Sequence, residues 1–171
     1  MGTADTSAQL PFDPIVEAKR QWLAHGWSDA ADGMVLVTSL TRAQAIVQQR
    51  VDAVLKDFDL TFARFEILML LSFSRSGEMP LAAIGRRLQV HPTSVTSAID
   101  RLERDAMVER HAHPSDRRSK LARLTEEGQT TAKAAAAALN DQVFTQPMVP
   151  DADLDQLNNL LTQIRAAAGD F

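Results

Sequence analysis

The sequence has no cysteine. That absence removes disulfides, thiolate metal sites and thiol-based peroxide sensing together. Long apolar runs are missing too. The longest uninterrupted run of large apolar residues, 67–71, is far too short to cross a bilayer, so no membrane partner is expected. Residues 1–10 have neither the basic start nor the apolar run of a secretion signal, which predicts a cytoplasmic protein. No glycine-rich phosphate loop, nucleophile elbow or paired metal motif occurs, so neither an enzyme nor a bound cofactor is expected. His111 and His113 have the spacing of some metal pairs, but other ligands nearby are few and no metal site is expected.

What is present is ordinary globular chemistry, with 45% apolar and 23% charged residues over 171 positions. The net charge of −4 is unevenly spread. From Pro80 to Leu124 there are nine Arg and Lys against five Asp and Glu, and the rest of the chain is strongly acidic. A basic middle on an acidic body suits a small nucleic-acid reader with a separate dimerisation region. A solvated charged face would give the same count, so charge alone decides nothing.

Capping and periodicity divide the chain into a flexible start (1–12), N-terminal helices (13–58), a central region (59–124) and C-terminal helices (125–171). Asp13-Pro14 reads as an N-cap with proline at the first helical position, opening a helix to about residue 24. Ser28 or Asp29 opens a long helix to about residue 57, apolar at Leu36, Leu40, Ala43, Val47, Val51, Val54 and Phe58. Thr61 caps a third helix to about residue 74, Pro80 begins a fourth to about residue 88, and Pro92 a fifth to about residue 105. Residues 107–112 and 119–124 are strand candidates around a polar tip. Thr125 caps a helix carrying the alanine run 134–138, which Pro147 and Pro150 interrupt. A last helix shows Leu154, Leu157, Leu161, Ile164 and Ala168 at steps of three and four. The stripes on the long second helix and the last one resemble coiled-coil seams and predict packing within the chain and between two chains.

Residues 80–103 have helix-turn-helix proportions. Leu81, Ile84 and Leu88 face inward from the supporting helix, and Val95, Ala98, Ile99 and Leu102 form the buried side of the second. Thr93, Ser94, Thr96, Ser97 and Arg101 are left on the opposite face, where hydroxyls and an arginine suit major-groove edges and flanking phosphates. Thr93 and Ser94 would also be common as plain caps. The hairpin tip then offers Asp116, Arg117 and Arg118. An arginine there can enter a narrow minor groove, and Asp116 can hold the arginines by charge-assisted hydrogen bonds.

Residues 102–110, 113–119 and 121–128 (Leu-Glu-Arg-Asp-Ala-Met-Val-Glu-Arg, His-Pro-Ser-Asp-Arg-Arg-Ser and Leu-Ala-Arg-Leu-Thr-Glu-Glu-Gly) resemble the signature of the MarR family. That resemblance implies a mainly α fold with a small β-hairpin wing, a winged helix-turn-helix joined to a helical dimerisation region. It puts Asp116 and Arg118 on the family's wing Asp and minor-groove Arg, and Ser94, Thr96 and Ser97 on its major-groove face. Asp105-Ala106 departs from the family's usual glycine turn. The implied function is a homodimeric regulator of transcription on a pseudo-palindromic double-stranded operator, a repressor released by a small aromatic or phenolic effector. Trp22, Trp27, Arg42, Arg64 and Phe65 are candidates to contribute to or border the effector pocket, with simple packing of the tryptophans as the alternative. A winged helix used for protein contact and a ligand-independent DNA-binding regulator are the rival readings. The two wing arginines speak against the first.

Overall fold

Side-chain caps set most helix starts in this chain, as a computed structural model describing residues 10–113 and 119–171 makes plain. The Asp13 carboxylate accepts from the Ile15 amide at 2.8 Å and Pro14 takes the first helical position, giving α1 (Pro14–Ala24). Helix α2 runs from Ser28 to Leu55 and tightens into a 3-10 turn at Lys56–Phe58. Thr61 caps α3 (Phe62–Ser72), and Thr125 caps α6 (Glu126–Leu139) through the Gly128 amide at 3.0 Å. Between these lie β1 (Glu78–Pro80), α4 (Leu81–Leu88), α5 (Pro92–Arg104), β2 (Val108–Ala112) and β3 (Lys120–Leu124). Helix α7 (Asp151–Ala167) follows Pro150.

Two details depart from the sequence reading. Pro80 does not begin a helix. It closes β1, and α4 starts one residue later. Strand β1 pairs antiparallel with β3 (Glu78 opposite Arg123, Pro80 opposite Leu121) and makes the hairpin a three-stranded sheet of order β1-β3-β2. Three residues on a sheet edge carry no readable alternation, and an edge is where proline is tolerated. The other departure is at α6, which leaves α geometry at Asn140–Phe144 for a π turn, before either proline. There the Arg50 guanidinium donates to the carbonyls of Gln142 and Gln146, both at 2.9 Å, so groups freed by the irregular turn find a charged partner.

The chain divides into two compact units, residues 1–49 and 50–171. In the first, α1 is tied to the start of α2 by Lys19 and Asp32 at 2.6 Å, and Ala31 is buried. Trp22 and Trp27 meet edge to face at 5.4 Å, with His25 stacked on Trp27. The second unit holds the main core. The end of α2 (Val51, Val54, Leu55), α3 (Phe65, Ile67, Leu68, Leu71), α4 (Ile84), α5 (Val95, Ile99, Leu102) and α6 (Ala132, Ala135, Leu139) bury one continuous cluster with Met79, Val108 and Ala122 of the sheet. The alanines of α6 let it approach α3 closely. Leu36, Leu40 and Val47 of α2, and Leu157 and Ile164 of α7, remain exposed on the single chain. No helix among the described residues is long and apolar enough to cross a membrane.

Candidate nucleic-acid interface

Helix α5 owes its position to its apolar side. Val95, Ile99 and Leu102 are at most 2% exposed. At about 1.5–3 kcal/mol per fully buried aliphatic side chain, they fix which face the helix turns outward. Gly85 in α4 allows the crossing, since a Cβ there would press on the Val90 carbonyl and Val95 at 3.3 Å. Gln89 ends α4 in the left-handed region at φ 54°, and the chain reverses within three residues. Pro92 opens α5, and the His91 ring nitrogen accepts from the Thr93 amide at 3.3 Å.

The outward face then carries Thr93, Ser94, Thr96, Ser97 and Arg101, all exposed, as the periodicity predicts. The simple capping account of the hydroxyls does not hold, because His91 does the capping. Thr96 alone spends its hydroxyl on the backbone, donating to the Pro92 carbonyl at 3.0 Å. Among the described residues, the hydroxyls of Thr93, Ser94 and Ser97 have no protein partner. They remain able to donate and accept toward a ligand.

The sheet is locked to this helix. Arg110 of β2 pairs with Asp100 and, at 2.9 Å, with Glu103, both on α5, while its amide donates to Glu103 at 3.2 Å. The sequence reading missed this clamp, since seven to ten residues separate partners on different elements. Arg123 of β3 pairs with Glu78 directly opposite it in β1 at 2.7 Å. The hairpin closes with the His113 amide donating to the Ser119 carbonyl at 3.2 Å. The predicted tip residues Asp116, Arg117 and Arg118 lie outside the described residues.

The remaining candidates fall in different surroundings. Trp22 and Trp27 form the aromatic pair of the first unit. Arg42 lines a shallow depression there with residues 10–14. Phe65 belongs to the buried core of the second unit. Arg64, in the first turn of α3, has a side chain only 12% exposed and stands 3.3 Å from the Asp105 carboxylate at the end of α5. The next residue on α3 after Phe65, Glu66, is half-buried, and burial pushes its carboxyl above the usual carboxylate range.

The model of the MarR family matches residues 60–120. Sco5413, a MarR family transcriptional regulator from Streptomyces coelicolor, is 42% identical, with a TM-score of 0.74 over 82% of this chain and 97% of its own. The HTH-type transcriptional regulator YhbI of Bacillus subtilis is 34% identical over 50% of this chain. The match spans 54% of that relative's length. The transcriptional repressor CouR, solved on a 23-mer DNA duplex, is 26% identical with a TM-score of 0.67, covering 74% of this chain and 89% of its own. A structure of CouR from Rhodococcus jostii with p-coumaroyl-CoA is 25% identical at a TM-score of 0.65, covering 75% and 90%. With a helix-turn-helix packed on a three-stranded wing sheet, and with these matches, the chain belongs to the MarR family of transcriptional regulators.

Proposed function

We propose that this protein binds a pseudo-palindromic double-stranded operator as a homodimer and represses transcription until a small aromatic or phenolic ligand releases it. The observation that carries the DNA reading is the row of exposed hydroxyls on α5, of which those of Thr93, Ser94 and Ser97 have no partner among the described residues, on a helix held by three buried aliphatics and the Arg110 clamp. Thr93, Ser94, Thr96 and Ser97 would meet base edges and flanking phosphates in the major groove, with Arg101 on the backbone. Arg117 and Arg118 would approach the minor groove from the wing tip, oriented by Asp116. The homodimer reading rests on the exposed apolar stripes of α2 and α7, which are costly in water unless covered. A dimer also supplies two half-sites where one short helix reads few base pairs.

The effector reading draws on CouR, solved with an aromatic acyl thioester, and on Trp22, Trp27, Arg42, Arg64 and Phe65 as the residues that would hold or border an aromatic anion. Release would be a population shift: a ligand preferring a half-site spacing mismatched to B-DNA withdraws the operator-competent form. Trp22 and Trp27 are the only tryptophans, so intrinsic fluorescence reports on that region directly. Titrating aromatic acids should quench it over the concentration range that releases DNA. Release without a fluorescence change would move the effector site elsewhere. For the wing, Arg118→Ala should weaken operator binding markedly while the dimer stays folded. Wild-type affinity in that variant would remove the wing from the mechanism.

A further inference from the structure

Next to the hydroxyl row, the first turn of α3 lies along α5, and two depressions meet on the ridge between them. One is lined by Thr61, Arg64, Thr93, Ser94, Ser97 and Arg101, and the other by Asp59, Arg64, Arg101, Arg104 and Asp105 with apolar neighbours. Arg64 and Arg101 border both. The Arg64 side chain is held in place: one Nη reaches Asp105 at 3.3 Å and Nε leans on the Thr61 hydroxyl at 3.4 Å. A guanidinium carries five N–H donors. Among the described residues, those of Arg64 meet only these two partners, and Arg101 and Arg104 have none. One tethered and two unpaired cations thus border an open hollow that also holds the Asp59 and Asp105 carboxylates, of which Asp105 is the one paired with Arg64. This hollow continues the row of hydroxyls that the DNA reading turns toward base edges.

We propose that Arg64, Arg101 and Arg104 form a seat for one backbone phosphate of the operator in each half-site, and that Asp105 is a tethered anion the phosphate must displace. The proposal rests on the DNA-binding reading and deepens it. It assigns Arg64 to the DNA backbone in place of the effector-bordering role named above, and it gives Arg104 a role. A phosphodiester fits better than a free small anion. The hollow is open, and a strand following the α5 hydroxyls would run across it, presenting the two non-bridging oxygens of a phosphate to the planar guanidinium forks. Asp105 would then temper affinity for all DNA equally, because it competes for the arginine without reading sequence.

The test uses the full chain and a duplex selected by the wild-type protein from a randomised pool, alongside a scrambled duplex. Arg64→Gln should weaken binding to both duplexes by the same factor. It should also flatten the dependence of log affinity on log salt by about 0.9 per half-site, the slope lost with one phosphate contact. Arg64→Lys, which keeps the charge, should recover most of that slope, and Asp105→Asn should tighten binding to both duplexes. Single methylphosphonate substitutions give the positional readout. The neutralised phosphate that costs the wild type affinity should cost Arg64→Gln nothing. Should Arg64→Gln fail to fold, the exposed Arg101→Gln and Arg104→Gln carry the same test. Wild-type affinity and salt slope in all folded variants, with Arg118→Ala still impaired, would overturn the seat and leave the DNA reading intact. Failure of the wild type to select any duplex would overturn both.

Discussion

Gly128 is required by space rather than by backbone conformation, and its replacement makes a sharp prediction. A Cβ on this residue would lie 2.0 Å from the Met107 carbonyl oxygen and 2.9 Å from Leu124 Cδ1. Ordinary contact begins at 3.4 Å, and the closer obstacle is backbone, which cannot swing aside. The first turn of α6 must therefore retreat by more than 1 Å. That movement breaks the bonds joining it to the corner between α5 and β2. These are the Thr125 hydroxyl to the Ala106 carbonyl at 2.7 Å and the Thr125 amide to the Met107 carbonyl at 3.2 Å. Two hydrogen bonds at about 1 kcal/mol each, with the strain of overpacking, make Gly128→Ala cost about 2–4 kcal/mol. At roughly 2–4 °C per kcal/mol for a chain of this size, Tm should fall by about 5–15 °C in a circular dichroism melt. A Tm within about 2 °C of wild type would refute the reasoning, because it would mean that the corner yields at no cost.

Ala106 holds the left-handed conformation at φ 57° without being glycine. Ala106→Gly should relieve about 1–2 kcal/mol of strain against a smaller entropic loss, raising the unfolding free energy by a net of about 0.5–1 kcal/mol and the urea midpoint with it. A lower midpoint would contradict the strain assignment. Burial raises the Glu66 carboxyl's pKa, so the unfolded chain ionises first as pH rises, and the fold is penalised above the ordinary carboxylate value. Glu66→Gln should therefore be more stable than wild type at pH 7, with the difference vanishing below about pH 4. An equal difference at both pH values would place its cause outside ionisation. Arg110→Ala removes the partner of two α5 carboxylates and should cost about 1–3 kcal/mol in urea unfolding, with operator affinity falling beyond what the unfolded fraction explains. Unchanged affinity would show that the clamp does not position α5.

Much of the fold was legible because its signals are local. Asp13, Thr61 and Thr125 are caps that announce themselves next to periodic apolar runs, and all three accept the expected amide. The outward face of α5 followed from the spacing of Val95, Ile99 and Leu102 alone. What could not be read depends on partners distant in sequence. Strand β1 exists through its pairing with β3 more than forty residues later, and the π turn at Asn140–Phe144 is answered by Arg50 of α2. The Arg64–Asp105 pair joins positions 41 residues apart, so no spacing rule places Arg64 beside α5. The Asp105-Ala106 departure from a glycine turn was visible in the sequence, but its consequence, a strained left-handed alanine, needed the dihedral angle.

The central claim, a dimeric reader of specific duplex DNA, is tested most directly by fluorescence anisotropy of the purified protein. The probes are labelled DNA from the region upstream of its own gene, fragments selected from the genome by the protein itself, and scrambled duplex, each at two salt concentrations. The account predicts saturable binding of two chains per duplex to at least one selected fragment. Affinity should fall steeply with salt, and the preference over scrambled DNA should survive the change. Equal, weak binding to every duplex, with no fragment enriched, would contradict it.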